Sequence, residues 1–169
     1  GGELRTHRVG HVQYRPGSDV VVRFDATVSW HGAEPVRETL MAGTTAAGAF
    51  PGTLPLVAET DGRTIEVGVW RWPFDPRMPA LGDAVTPSRV MALLELPQAP
   101  ALEVVAFRPT ERAVVRVTAV DGTIRYLKVV PPSRLAAQVD RHERLLAAGL
   151  VVPAVVASNP SQGWMAMTE

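Results

Sequence analysis

The chain of 169 residues contains no cysteine. Disulfide frameworks and thiolate metal sites are thereby excluded. Aromatic residues are scarce at 6%, and neither sign of charge is in excess, since 17 basic residues face 17 acidic ones. A nucleic-acid binder ordinarily shows a basic excess or stripe, so nucleic acid is not an expected partner. No basic amphipathic segment stands out, which argues against a membrane surface. No apolar run is long enough to span a bilayer. Gly1-Gly2-Glu3-Leu4-Arg5 lacks the apolar stretch of a secretory signal, and the missing initiator methionine suggests trimming or a tag remnant. A cytoplasmic protein is expected. His7, His11, His31 and His142 show no metal-ligand spacing.

What is present is 46% hydrophobic content, enough for one ordinary core or two small ones. Proline and glycine divide it. Arg15-Pro16-Gly17 opens a turn before the β-branched run Val20 to Phe24, which reads as a strand. Arg37 to Ala42 and Thr64 to Trp72 are further strand candidates, and Gly43 to Pro55 between them reads as a loop. Three prolines between Trp70 and Pro79 forbid a regular helix there. Thr86-Pro87-Ser88 is a helix start, with a capping hydroxyl and a first-turn proline, for a helix reaching about Leu94. Pro97 and Pro100 mark a linker.

The plainest hairpin follows. Ala113 to Val120 and Thr123 to Val130 flank Asp121-Gly122, a dipeptide suited to a tight two-residue turn. Pro131-Pro132-Ser133 ends the strand and caps a helix on which Leu135, Val139, His142 and Leu146 form one stripe; Gly149 ends it. Gly163 to Met167 is the last strand candidate. Tyr14 to Phe24 aligns without gaps to Phe107 to Val117, matching at Arg, Pro, Val, Val and Arg. The match is short and valine-rich strands resemble one another, so duplication and chance both stand. If it is a duplication, Leu40-Met41 falls near where the second copy has Leu127-Lys128.

Four places could carry chemistry. Lys128 shares a strand face with Ile124, Tyr126 and Val130. A lysine on an apolar face is either a phosphate ligand in a cleft or an edge lysine whose head reaches water. Glu143 lies one turn beyond Val139 and could point at the sheet, or it is an ordinary solvated glutamate. Burial of Leu135, Val139 and Leu146 is worth about 1.5–3 kcal/mol each, against about 0–1 for an exposed Lys–Glu pair. Any such pair would serve to orient the lysine rather than to dock the helix. The turn Arg108-Pro109-Thr110-Glu111-Arg112 could offer amides and the Thr110 hydroxyl to phosphate, or be a plain polar turn. Met167 and Thr168 end the last strand, where Met167 is equally a core gap filler.

Taken together, Lys128, Glu143, Val151-Val152-Pro153 and the closing Trp164-Met165-Ala166-Met167-Thr168-Glu169 resemble the N-terminal lobe of aminoglycoside phosphotransferases, relatives of choline kinases with a kinase-like fold. The resemblance covers about residues 102 to 169; Val69 to Pro76 is a weaker match to a segment preceding that lobe in larger bacterial members. It implies an α+β chain: a kinase-like lobe of antiparallel sheet and one helix over 101–169, cut at the hinge, preceded by a β-rich region over 1–100 that could be a degenerate copy. It implies that Lys128 holds ATP phosphates, that Glu143 pairs with it, that Met167 lies behind the adenine and that the Thr168 carbonyl bonds the adenine amino group. Thr110 would cover the phosphates.

The parent enzyme would move the γ-phosphoryl of ATP to a hydroxyl on a small substrate. Magnesium ligands and the catalytic histidine–aspartate–asparagine loop would lie in a following lobe, so this polypeptide alone is expected to be inactive. The rival expectation is a non-catalytic, pseudokinase-like binding or interaction module.

Overall fold

The computed structural model describes residues 2–44, 50 and 52–169. It is α+β, and the chain divides into two compact units, Gly1–Pro76 and Arg77–Glu169. Each unit holds one five-stranded antiparallel sheet. Among the described residues no helix is long and apolar enough to cross a membrane.

The first unit contains β1 (Gly2–Arg15), β2 (Asp19–Trp30), β3 (Val36–Gly43), β4 (Leu54–Thr60) and β5 (Arg63–Arg71), in the order β1-β2-β3-β5-β4. The pleat sorts its side chains into two faces. One face buries Val21, Met41 and Trp70 almost completely. The other is a cross-strand row of Val12, Val22, Ala42, Val69 and Leu54, which runs through all five strands. The middle of the expected loop, 45–49 and 51, lies outside the described residues.

The second unit contains α1 (Leu81–Ala84), α2 (Pro87–Leu93), β6 (Ala101–Arg108), β7 (Arg112–Thr118), β8 (Ile124–Val129), α3 (Pro132–Ala147), β9 (Val155–Asn159) and β10 (Trp164–Thr168). Its strand order is β6-β7-β8-β10-β9. Residues 77–100 group with this sheet, and α1 touches β8. α3 follows the third strand and lies over one face. Leu135 is fully buried against Val130, Met165 and Met167, and Val139 packs beside them. A fully buried leucine is worth about 1.5–3 kcal/mol, so this contact docks the helix.

Local details depart from the sequence expectations in three places. The β7–β8 connection is not a two-residue turn. Ala119 and Thr123 still pair, with the Ala119 N–H donating to the Thr123 carbonyl at 2.9 Å, so the loop is Val120-Asp121-Gly122. Gly122 takes φ +84, the left-handed third position of a three-residue hairpin loop. The Asp121 carboxylate accepts from the Thr123 N–H at 2.9 Å, which holds that carboxyl below the ordinary range. Thr86 stands at the N-cap of α2, but its hydroxyl donates to the Gly82 carbonyl instead of capping. The N-cap of α3 is Pro131, with no side-chain cap from Ser133. At its other end Gly149 has φ +77, and the N–H groups of Gly149 and Leu150 donate to the Leu146 and Leu145 carbonyls. That is the paired-bond helix stop that needs a left-handed residue.

The two sheets share their strand order, and the ungapped sequence match coincides with matching hairpins. Arg15 pairs with Asp19 across the β1–β2 turn, as Arg108 pairs with Arg112 across the β6–β7 turn. The Ser18 N–H donates to the Arg15 carbonyl, and the Glu111 N–H to the Arg108 carbonyl. Gly17 (φ +71) and Thr110 (φ +62) occupy the same left-handed position.

Candidate functional site

The β6–β7 turn, β8 and the first three turns of α3 enclose an open cleft of about 620 Å³. Strand register puts Lys128 next to Val114 on β7 and Met165 on β10. Its side chain enters the cleft, half-buried. Arg108 and Arg112 enter from the hairpin, and Arg134 and Arg141 from α3. Among the described residues, none of these five cations is in an ion pair. Glu111 is the one acidic residue in the lining, and it is not without a partner.

The electrostatics follow from that inventory. Burial lowers the Lys128 pKa below the ordinary 10.5, and the positive charges of Arg112 and Arg141 lower it further. Arg108 and Arg112 are directly opposed across the hairpin, a like-charge placement that costs stability. A cleft that concentrates unpaired cations in a chain of zero formal charge is suited to an anion carrying several charges.

The first unit shows the same frame without the charge. There Arg15 faces Asp19 and pairs with it at 3.2 Å, with Asp19 buried. Val21 takes the place of Val114 in the ungapped match, and its β3 neighbour is Gly43. The register counterpart of Lys128 is therefore Gly43, not Leu40 or Met41. A Cβ added at Gly43 would stand 3.1 Å from the Trp70 ring, so indole fills the space.

The predicted residues fare differently. Lys128 is in the cleft. Glu143 is exposed and outside its lining, and no ion pair joins it to Lys128. The reason is helical phase: at about 100° per residue, Glu143 lies about 80° round from Leu135, while Gln138, Val139 and His142 fall on the covered side. Thr110 is 1% exposed, makes contacts of its own and is not part of the lining. Met167 is 8% exposed and belongs to the core cluster under α3. Thr168 bonds Ala154 in both directions: its N–H donates to the Ala154 carbonyl and its hydroxyl accepts from the Ala154 N–H, both at 3.0 Å.

Sequence reasoning missed the arginines and two α3 residues. Arg134, Gln138 and Arg141 follow the i, i+4, i+7 spacing that puts side chains along one helix flank; that polar stripe was the available signal. Gln138 Oε1 and His142 Nδ1 are buried without a hydrogen-bond partner, and both residues line the cleft. Buried polar atoms of this kind are ordinarily satisfied by a ligand or by water. For magnesium the donor set does not fit: among the described residues no group of three His, Asp or Glu side chains is placed to hold a metal ion. Comparison with protein families, curated proteins and solved structures finds no match to this chain.

Proposed function

We propose that the second unit is the ATP-binding lobe of a small-molecule phosphotransferase, resembling that of aminoglycoside phosphotransferases, and that the first unit is a degenerate copy of it. The observation that carries this reading is the convergence of Lys128, Arg108, Arg112, Arg134 and Arg141 on one cleft, with no carboxylate among the described residues in an ion pair with any of them. Lys128 sits on the third strand of its sheet, and α3 joins that strand to the fourth. That is the placement in which a phosphotransferase lysine meets nucleotide phosphates. Lys128 and the arginines bind and orient the triphosphate. Magnesium would supply further charge neutralisation, held by residues beyond those described. The acceptor is a hydroxyl on a small molecule.

Titration calorimetry of the chain with ATP, ADP, AMP and adenosine tests the reading. Affinity should fall stepwise as phosphates are removed and vanish for adenosine. Equal binding of ATP and adenosine, or no binding of any of them, would overturn it.

A second reading draws on the exposed Glu143. Without a carboxylate to aim Lys128, the unit could bind a polyanion and transfer nothing. Lys128→Ala in the intact parent separates the two, since unchanged phosphoryl transfer favours the non-catalytic module.

A further inference from the structure

We propose that the open face of the first unit's sheet is a homodimer interface, in which two copies of this chain pack face to face as a β-sandwich. Antiparallel sheets that meet water on one side carry polar residues there. This one does not. Leu4, Val9, Val12, Val36, Leu54 and Leu56 share the face, and each is 41% to 62% exposed. In the second unit both sides of the equivalent sheet are buried. Lys128 and Met165 lie under α3, and Val115, Leu127 and Ala166 on the other side are 0% exposed. The first unit has strands of the same order, and its own described residues include no α-helix to lie over this face.

Two observations select a second copy as the occupant. The first is charge. Apart from the rim, the face carries His7 and the Arg71–Glu38 ion pair, which neutralises itself. A neutral apolar face meets its own image without opposing like charges, as a twofold interface requires. The second is area. Five strands at about 4.8 Å spacing and eight residues of length give a face of about 24 by 27 Å, or ~650 Å² per copy. The total of ~1,300 Å² falls among specific, stable interfaces. Two such faces stack at about 10 Å with their side chains interleaved.

Sedimentation equilibrium tests this directly. The wild-type chain should run at twice its chain mass at micromolar concentration. Val12→Glu and Leu54→Glu should each weaken dimerisation at least tenfold. Val57→Glu, on the opposite face of the same edge strand, should leave it unchanged. A monomeric wild type, or equal loss in all three variants, overturns the proposal. A second readout does not need the charged variants to fold. Since the chain lacks cysteine, Val12→Cys and Val57→Cys each present one thiol to a maleimide. Slower labelling at position 12, relieved on dilution, supports the interface; concentration-independent labelling at both positions refutes it.

Discussion

Replacing Lys128 by methionine separates a ligand-binding cation from a structural one. Methionine keeps the length of the stem and removes the ammonium. In the folded chain that ammonium is half-buried beside Arg112 and Arg141, with no carboxylate to repay its desolvation. Its removal orphans nothing, so the unliganded protein should be as stable as wild type or more so. A lysine in a structural ion pair behaves in the opposite way, because deleting it strands a carboxylate. Binding should suffer. A hydrogen bond from a charged donor is worth about 1.5–3 kcal/mol, and about 1.4 kcal/mol is tenfold. Lys128→Met should therefore weaken ATP binding roughly 10- to 150-fold. Urea denaturation gives the first quantity and titration calorimetry the second. The reasoning fails if the variant is destabilised while ATP affinity is unchanged.

Glu143→Gln should change neither stability nor ATP affinity beyond about 0.5 kcal/mol, since an exposed side chain without partners is lost; a large loss of affinity would restore the Lys–Glu pairing. Alkaline titration has a defined sign. The Lys128 pKa is below its unfolded 10.5, so between the two values the unfolded chain binds more protons and this group makes stability rise with pH. ATP favours the protonated lysine, so affinity should decline as pH rises, beginning below the ordinary lysine range. Lys128→Met should flatten that decline. Gly163→Ala should cost about 2–4 kcal/mol in denaturant, because a Cβ there would stand 2.3 Å from the Val130 carbonyl oxygen at φ +78; wild-type stability would refute the close approach.

The strands read from sequence and the strands missed divide by position. β2, β3, β5, β7, β8 and β10 were legible, and all six have a neighbour on each side. β1, β4, β6 and β9 were not, and all four are edges. An edge strand is relieved of half its packing and tolerates charge, proline and bulges. β1 carries register shifts between Leu4 and Thr6 and between Val9 and His11, which break the alternation; β4 contains Pro55. Lys128 was legible because a lysine on an apolar strand face is anomalous. Glu143 was misplaced because one residue of helical phase decides which side faces the sheet. Arg134 and Arg141 left a trace in the polar stripe of α3, but their meeting with Arg108 and Arg112 depends on a hairpin, a strand and a helix converging, which that stripe alone does not encode.

The position of β10 has a consequence for how the molecule is assembled. β10 comes after β9 in the chain yet stands between β9 and β8, and β9 has no other hydrogen-bonded neighbour. Until the residues from Trp164 to Thr168 are made and inserted, β9 cannot join the sheet and the underside of α3 has neither Met165 nor Met167 to rest on. Deleting Trp164 to Thr168 would thus unseat a helix and two strands together, so the unit should mature in one late step rather than strand by strand.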